Sequence, residues 1–472
     1  MRKFLTILNV LLLATLIVLT LYVFNIIDLS FLDQQQEITQ GEPEIEGPDK
    51  ITRKKTYEEL IEKGDLYFES GLYTLAIDSY TTASEKEPSK ILPLIKIGEI
   101  QLIQREYEKA KNLALEILKS SDTNVNAKLI LGQANIGLED FAEAKTIFDN
   151  IFVDDSEVKY YQGMMASYFG EYERARGLLD SSIATATSET VKDNALKIKS
   201  ALDEFDRFQA GIHEHLKVLL ARAFVQIDQP HMAKELIWGV LKERRDYRDA
   251  WIILGYSYLK LESYEDAVDA LEEAVRQDPE KPETFFYLGL AYAGNDQLNN
   301  AIESLELSAK FGYEPKIHVE QKLAELYFQA EDYTKASEKY EDVISKNPTD
   351  IEYFIRPIWV YIDKLDQPER AVVLAEKARL AHPDIAMSYN LLGWAQVANN
   401  DFINGNKNLQ KALTYDPSFD APYLNLAAMY EKQQQYGRAK DLYRKAYELG
   451  NGSAVGNLAA EKYNELLVNI FN

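Results

Sequence analysis

The sequence predicts an all-α protein in which helical hairpins of about 34 residues stack into an α-solenoid, preceded by one transmembrane helix. Three observations support this prediction. Small residues recur along the body at a near-constant interval, a second small residue and a proline accompany most of them, and residues 4–27 form an uncharged apolar stretch. Long runs of alternating Val, Ile and Thr are missing, so a large sheet is not expected.

The repeat interval is read from one small residue in each unit. Most successive members of this series lie 34 residues apart, although the interval shortens to 31 once and lengthens to 58 once. Two helices that cross closely need a small side chain at the crossing point. The series is Ala76, Ala110, Ala144, Ala175, Ala233, Ala267, Ala301, Ala336, Ala371, Gly405 and Ala439.

Two further positions recur at a fixed distance from the residues of this series. Most repeats have a second small residue twelve positions earlier, and several have a proline twelve positions later, where a second helix should end because proline lacks the amide donor. The small residues are Gly64, Gly98, Gly132, Gly163, Ala221, Gly255, Gly289, Ala324, Gly393 and Ala427. The prolines are Pro88, Pro279, Pro348, Pro383 and Pro417.

Residues 248–281, RDAWIILGYSYLKLESYEDAVDALEEAVRQDPEK, show the whole pattern and resemble the tetratricopeptide repeat (TPR) family. The signature positions are held by Trp251, Leu254, Gly255, Tyr258, Ala267, Leu271, Ala274 and Pro279. The resemblance covers about residues 57–453, as about eleven repeats. It implies a right-handed superhelix of TPR helical hairpins that binds other proteins and is not an enzyme.

Departures from the repeat predict the domain organisation. The long interval between Ala175 and Ala233 holds 24 extra residues, which read as an additional helix, and the repeat around residues 351–385 carries an inserted residue and the bulky Ile358 at the small position. The predicted segments are a cytoplasmic N-terminus (1–3), a transmembrane anchor (4–27), an acidic flexible tether (28–55), an array of about four repeats (56–189), the extra helix (190–213), an array of about seven repeats (214–453) and a capping helix (454–472).

The apolar segment 4–27 reads as an uncleaved signal anchor. Its 24 residues span roughly 36 Å as a helix, enough for a hydrocarbon core of about 30 Å. A cleaved signal peptide would have a shorter apolar region followed by a small-residue cleavage site, which is missing. Arg2 and Lys3 precede the segment and residues 28–49 contain no Lys or Arg, which predicts a cytoplasmic N-terminus and an extracytoplasmic body, on the periplasmic side of a bacterial inner membrane.

Composition and motifs argue against several functions. The net charge of −24 disfavours nucleic acid as a partner, and the absence of cysteine excludes disulfides, thiolate nucleophiles and cysteine-ligated metals. His213 and His215 are the only close histidine pair, and residues two apart on a helix face different sides. HExxH, Walker A and GxSxG motifs are missing. The sequence therefore predicts no catalytic residues, no metal and no cofactor.

In the TPR family the first helix of each repeat lines a concave groove with its second, fifth, sixth, ninth, twelfth and thirteenth residues. Carried over to this chain, these positions are rich in aromatic and apolar residues, which favours an apolar helix or extended segment as the ligand. The alternative is that the array or the extra helix packs them internally. The candidate groove residues are Tyr160, Tyr161, Met164, Tyr168, Ile252, Tyr256, Leu259, Phe286, Tyr287, Leu290, Trp359 and Trp394. The asparagine expected for a carboxylate-binding TPR clamp is missing at the ninth position.

Three functional hypotheses follow. The first is a membrane-anchored scaffold or adaptor that mediates protein–protein interactions in the assembly of an envelope or membrane complex. The second is a chaperone-like or regulatory adaptor that binds apolar client segments. The third is a non-catalytic recognition subunit of an envelope-modifying enzyme. The examples of such complexes rest on family analogy.

Overall fold

The computed structural model describes residues 56–207, 212–450 and 452–471, and α-helices with one π-helical segment are the regular structure of these residues. The chain forms two compact units, Met1–Pro279 (unit 1) and Glu280–Asn472 (unit 2). The predicted anchor (4–27) and tether (28–55) lie outside the described residues and stay predictions. Within the described ranges, no helix combines the length and apolar character needed to cross a bilayer.

The described part of unit 1 contains six antiparallel hairpins, each with a first and a second helix, and one single helix, α9. The helices are α1 (Tyr57–Glu69), α2 (Tyr73–Lys86), α3 (Leu92–Ile103), α4 (Tyr107–Ser120), α5 (Val125–Gly137), α6 (Phe141–Asp149), α7 (Ser156–Tyr168), α8 (Tyr172–Thr185), α9 (Glu189–Arg207), α10 (His213–Gln226), α11 (Pro230–Glu243), α12 (Arg248–Lys260) and α13 (Tyr264–Gln277).

The described part of unit 2 contains hairpins seven to eleven and a terminal helix. The helices are α14 (Pro282–Gly294), α15 (Leu298–Lys310), α16 (Lys316–Gln329), α17 (Tyr333–Lys346), α18 (Glu352–Trp359) with a π segment (Val360–Lys364), α19 (Pro368–Ala381), α20 (Ala386–Ala398), α21 (Phe402–Tyr415), α22 (Asp420–Lys432), α23 (Tyr436–Leu449) and α24 (Ala454–Phe471).

Each hairpin turns at a residue with left-handed φ, five positions before the small residue of the repeat. Gly71 has φ 71° and precedes Ala76, and Asp228 has φ 58° and precedes Ala233. The next amide then donates back to the end of the first helix, as from Gln229 N to Phe224 O at 2.7 Å. This Schellman-type closure satisfies carbonyls that the helix end would leave unpaired. The same type of turn therefore positions the two helices of each hairpin for their close crossing.

The small residue twelve positions before the series is a steric requirement. A methyl group added at Gly255 would lie 2.4 Å from Leu271 Cγ, on the second helix of the same hairpin. One added at Gly64 would lie 2.4 Å from the Tyr80 ring. Every alanine of the 34-residue series is fully buried. The two helices of a hairpin thus approach closely enough that a large side chain from the second helix fills the space above the small residue of the first.

The ninth hairpin reverses this arrangement. Ile358 occupies the first-helix position that is otherwise small, and Ala375 stands on the second helix where most other hairpins have a large residue. Both are fully buried in the same apolar cluster, so the large side chain of this hairpin comes from its first helix and the small one from its second. The inserted residue is absorbed by the π segment, where the Leu365 amide donates to the carbonyl five residues earlier, Val360 O, at 3.0 Å.

Two irregularities in unit 1 have simple structural forms. The 31-residue interval corresponds to α6, which has 9 residues where most second helices have 14. The extra residues after α8 form α9, which packs on α7 and α8 in the way that the first helix of a following repeat would. Ile198 and Leu202 of α9 are fully buried. Because α9 has no second helix, α10 packs directly on its other side.

The terminal helix α24 packs on α22 and α23 through Leu466, which is 2% exposed. The turn before it is an ordinary helix start, since Ser453 Oγ accepts from Gly456 N at 2.9 Å and donates to Asp420 Oδ2 at 2.9 Å. Gly450 and Gly456 approach each other so closely that a methyl group added at Gly456 would collide with the Gly450 carbonyl oxygen. This glycine-rich segment therefore has a structural role.

Candidate protein-binding surface

The groove face is the set of first-helix positions at which the sequence predicts ligand contacts. The structure buries four of the twelve predicted residues and leaves eight partly exposed. The buried residues are Tyr160, Tyr161, Met164 and Phe286, with exposed fractions between 0% and 9%. These four cannot line an open groove, and we remove them from the candidate surface.

In unit 1 the neighbouring helices explain this burial. The ring of Tyr161 stacks on Phe148 of the preceding hairpin, with centroids 4.9 Å apart. The hydroxyl of Tyr160 hydrogen-bonds with Asn194 of α9, and burial raises the pKa of this phenol. Tyr168, which is partly buried, lies against Phe224 of α10 at 6.3 Å. The extra helix and the fifth hairpin therefore cover the groove face of the fourth hairpin.

Polar contacts hold the fifth hairpin against the third. Glu139, in the turn of the third hairpin, accepts hydrogen bonds from Lys234 Nζ at 2.5 Å and His231 Nδ1 at 2.9 Å. Burial opposes ionisation of Glu139, but the hydrogen bonds and charges of these two partners outweigh it and hold its pKa below the ordinary value. We call Glu139, His231 and Lys234 the Glu139 cluster.

A second contact of this kind joins the second and sixth hairpins, where Arg105 Nη1 donates to the Lys260 carbonyl at 2.9 Å. The Tyr107 ring also meets His231 edge-on at 6.1 Å. A partly open cavity of about 300 Å³ lies between the second, third and fifth hairpins, lined by residues that include Arg105, Gln133 and Asp228. Unit 1 thus brings hairpins that are distant in sequence into contact.

The remaining unit 1 candidates belong to the sixth hairpin. Ile252, Tyr256 and Leu259 are partly exposed. Tyr256 packs at the margin of the large unit 1 core. Together with the partly exposed Tyr168, this short strip is what the structure leaves accessible from the predicted unit 1 surface.

In unit 2 the predicted residues lie along a more accessible face. Tyr287 and Leu290 are partly exposed beside the core of the seventh and eighth hairpins, while the buried Phe286 stacks on Tyr313 at 4.3 Å. Trp359 and Trp394, from the ninth and tenth hairpins, are also partly exposed. Trp394 packs against the same apolar cluster as Ile358.

Trp359 is the centre of an aromatic and cationic group that we call the Trp359 cluster. Its ring lies 5.6 Å from Phe328, which meets Tyr333 edge-on at 5.6 Å. The Arg356 guanidinium lies 5.0 Å from the Phe328 centroid. The Lys364 ammonium lies 5.3 Å from the centroids of both Trp359 and Tyr333. Cations over ring faces attract the ring quadrupole, so the group is held together locally.

The π segment positions two members of this cluster. It begins directly after Trp359 and ends with Lys364. Asp363, within it, accepts a hydrogen bond from the Trp359 side chain. Although Asp363 is exposed as a residue, desolvation of its carboxyl raises the pKa above the ordinary value, against that hydrogen bond and the Lys364 charge. π-Helical turns occur frequently at functional sites, because the extra residue changes where side chains point.

Trp359 was predicted from the sequence, but its neighbours were not. Phe328 and Arg356 occupy the twelfth and sixth positions of their repeats, which the groove pattern includes. Tyr333 and Lys364 lie outside that pattern and join the cluster through the turn and the π segment. The inserted residue in the ninth repeat was the one sequence signal that marked this region as different.

The described residues offer no candidate metal centre, since no group of three or more His, Asp or Glu side chains among them could hold an ion. The His213-Glu214-His215 segment diverges as its helical spacing predicts. His213 lies beside Tyr172, and His215 Nδ1 is 2.8 Å from Tyr247 Oη.

Comparison with known proteins identifies the repeat. Residues 255–296 match a family model described as a TPR repeat, and residues 320–350 and 421–449 match models described as tetratricopeptide repeats. The prediction of TPR repeats is thus confirmed, and the matched stretches fall on the sixth to eighth and the eleventh hairpins. Proteins built from such repeats generally act as non-catalytic binding scaffolds.

Two curated relatives share part of the chain. A TPR repeat-containing protein of Methanocaldococcus jannaschii is 22% identical over 328 residues, covering 54% of this chain and 58% of the relative. The TPR repeat-containing protein YpiA of Bacillus subtilis is 23% identical over 252 residues, covering 52% and 53%. The chain thus spans little more than half the length of these two relatives. Among solved structures, yeast Tom70 is 16% identical, with a TM-score of 0.31 over 88% of this chain and 96% of Tom70.

Proposed function

We propose that the protein is a membrane-anchored scaffold that recruits partner proteins through the Trp359 cluster and the groove face around it in unit 2. TPR repeats mediate protein–protein interactions, and the proposal rests on this general function. The observation that carries it is the position of the Trp359 cluster. Partly exposed aromatic rings and cations are concentrated there, on the face of the repeat that the family uses for binding.

The energetics of interfaces support this assignment. Trp, Tyr and Arg dominate binding hot spots because they bury large areas and also make directional polar contacts. The Trp359 cluster contains all three residue types together with Phe328. Ordinary packing would bury such rings, as it buries Tyr160 and Tyr161 in unit 1. Their partial exposure in unit 2 leaves apolar area that a partner can remove from water.

The membrane part of the proposal rests on the sequence alone. The uncharged segment 4–27 follows Arg2 and Lys3, and the segment from 28 to 49 has no basic residue. This asymmetry supports a cytoplasmic N-terminus and an extracytoplasmic body, with the tether giving the repeats reach from the membrane. We infer that the partner is a subunit of an envelope or membrane complex.

Site-specific photocrosslinking in cells tests the binding surface. A photoreactive amino acid replaces Phe328 or Trp394 in separate versions of the full chain, and captured proteins are identified by mass spectrometry. We expect a small set of partners that recurs at both positions. Ile403, 85% exposed on the second helix of the tenth hairpin, is the matched control position.

The discriminating variant is Trp359→Ala in the background of each photoreactive chain. We expect capture from the groove face to fall while any capture from position 403 is unchanged. If position 403 captures the same partners as the groove face, or if Trp359→Ala leaves capture intact, the surface is elsewhere. A constant stoichiometry of captured partner indicates a scaffold, whereas many weakly captured clients indicate a chaperone-like adaptor.

Topology needs a separate experiment. Alkaline phosphatase, which folds when exported, and a fluorescent protein that matures in the cytoplasm are each fused after Asn472. We expect phosphatase activity with little fluorescence. The opposite pattern would place the repeats in the cytoplasm and remove the envelope assignment.

A further inference from the structure

The Trp359 cluster has a chemistry that narrows the partner. We propose that it binds a segment in which an Asp or Glu side chain lies next to a large apolar or aromatic side chain. This inference rests on the proposed function, since it specifies the ligand of the same surface. It differs from capture of a chain-terminal carboxylate, for which the asparagine of the family clamp is missing.

Lys364 supplies the first of the two positive charges in the Trp359 cluster. Its ammonium lies over two ring faces, and no carboxylate oxygen among the described residues lies within 4.0 Å of its nitrogen. The residue is exposed, so a ligand can reach it. The neighbouring Asp363 lowers the local positive potential, but its carboxyl accepts from the Trp359 side chain. A partner carboxylate would add the direct ion pair that Lys364 lacks within the described structure.

Arg356 supplies the second positive charge. Its guanidinium lies over Phe328, 5.0 Å from the ring centroid, and its Nη1 is 3.4 Å from Tyr340 Oη, a weak hydrogen bond. A guanidinium stays charged at any physiological pH, so it adds to the positive potential of the Trp359 cluster.

The nearby acidic groups do not make the electrostatic potential of the Trp359 cluster negative. Glu325, one helical turn before Phe328, forms an ion pair with Lys322 at 2.8 Å. Asp332 caps α17 by accepting from Lys335 N at 3.1 Å. The chain as a whole carries a net charge of −24, so a basic and aromatic ligand would be the general expectation for its surface. The two cations of the Trp359 cluster are a local departure from that background.

The apolar half of the ligand follows from the rings. Trp359 and Phe328 lie 5.6 Å apart and tilted by 45°. A ligand side chain placed between the two rings would contact both of them, and an aromatic or leucine side chain is large enough to do this. The cations at the ring faces require the carboxylate to be close in space to that side chain, on an adjacent residue or one helical turn away.

Selection from a random peptide library tests this inference. Phage displaying random 12-residue peptides are panned against the full chain in detergent, and peptides that bind Trp359→Ala equally well are discarded. We expect the remaining peptides to be enriched in Asp or Glu beside an aromatic or leucine residue. Replacing that acid by its amide in a synthetic peptide should weaken binding about tenfold, the size of one charge-assisted hydrogen bond.

Charge reversal on the protein completes the test. Lys364→Glu, at an exposed position that should not affect folding, is expected to shift the selection from acidic to basic peptides. Arg356→Glu should act in the same direction. Lys407→Glu, at an exposed position of the second helix α21, is the matched control and should select the same acidic peptides as the unmodified chain.

The outcomes separate the two proposals. Two results overturn the acidic-ligand inference and leave the proposed binding surface in place. In the first, the Trp359-dependent peptides show no preference for Asp or Glu. In the second, the Lys364→Glu chain selects the same peptides as the unmodified chain. A selection that yields no Trp359-dependent peptide counts against both. Acidic peptides that depend on Trp359 and change with Lys364→Glu support both.

Discussion

Unit 1 and unit 2 use the same hairpin but treat its groove face differently. In unit 1 the predicted ligand-binding residues of the fourth hairpin are covered by α9 and α10, so Tyr160, Tyr161 and Met164 are core residues. Of the corresponding positions in unit 2, Phe286 is also buried, but Tyr287, Trp359 and Trp394 are partly exposed. The comparison teaches that a repeat pattern defines a face, while neighbouring chain decides whether that face is available.

The cause of the difference is visible in the packing. In unit 1 the single helix α9 interrupts the alternation of first and second helices, and the next hairpin reaches the turns of the second, third and fourth hairpins. In unit 2 the described hairpins follow one another without an inserted helix. There the irregularity is one residue, absorbed by the π segment, which redirects side chains without covering them. Four measurements test this difference between the two units.

The largest effect is expected for Phe224→Ala. Phe224 is fully buried where the fifth hairpin meets Tyr168, and a Phe→Ala change at such a position lowers the free energy of unfolding by about 3–5 kcal/mol. Chemical denaturation of the full chain, followed by circular dichroism, measures the loss. Hydrogen exchange should assign it to α7, α10 and α11.

The matched change in unit 2 is Phe328→Ala, which also removes a phenyl ring from a first helix. Because Phe328 is partly exposed, we expect its cost to be clearly smaller than that of Phe224→Ala. Equal losses for the two substitutions would mean that the unit 2 groove face is as fully packed as that of unit 1.

The next effect concerns the exchanged volumes in the ninth hairpin. Ile358→Ala should lower the free energy of unfolding by about 2–4 kcal/mol, since it leaves a cavity opposite Ala375. Ala375→Leu alone should destabilise by about 1–3 kcal/mol through overpacking.

The double variant Ile358→Ala with Ala375→Leu restores the large and small arrangement of the other hairpins. We expect it to be more stable than the sum of the single losses predicts, as a double-mutant cycle would show. Strict additivity would mean that the two residues do not share one space. The result bears on unit 2 because this hairpin supports Trp359.

A smaller effect is expected for Glu139→Gln in unit 1. The Glu139 cluster is partly exposed, so removing its charge should cost about 0.5–1 kcal/mol. The pKa of Glu139 is lowered in the folded chain, so its stabilisation is complete above the ordinary glutamate pKa and is lost as the pH falls through the lowered value.

The stability difference between the unmodified chain and Glu139→Gln should therefore shrink on acidification below the ordinary glutamate pKa. Denaturation curves at several pH values measure it. A difference that persists unchanged in acid would show that the charge of Glu139 does not stabilise the contact between the third and fifth hairpins.

The smallest effect on stability is expected for Lys364→Ala. The ammonium is exposed and its two ring contacts are each worth about 0.5 kcal/mol at such a site, so the melting temperature should change little. Binding of the selected acidic peptides should nevertheless fall. A large loss of stability would instead assign Lys364 a structural role in the π segment.

The fold was largely predictable because the repeat imposes local rules. A 34-residue interval between small residues, such as Ala233, Ala267 and Ala301, follows from close helix crossing, and crossing geometry is the same wherever it occurs. The inserted residue near Ile358 was also visible in the sequence. Its structural form was not, because an extra residue can enter a turn, a loop or a helix, and packing between helices selects among these.

The candidate site was less predictable. Position within the repeat pointed to Trp359, but also to Met164, which is fully buried. Phe328 and Arg356 also occupy groove positions, but they were not predicted as candidates. A sequence does not show which of these positions another helix will cover. Tyr333 and Lys364 reach Trp359 through a turn and the π segment, and both contacts depend on three-dimensional neighbours.

The helical hairpin, its interval and the places where the repeat is irregular can be read from the sequence, because backbone propensity and the volume at a helix crossing act over short distances. Which groove face is available depends on the tertiary structure. That choice depends on contacts such as Tyr168 with Phe224 and Glu139 with Lys234, between residues far apart in the chain. Burial is a property of such neighbours, and for this reason the repeat positions of Tyr161 and Met164, which are core in the fourth hairpin, are partly exposed as Tyr287, Trp359 and Trp394 in unit 2.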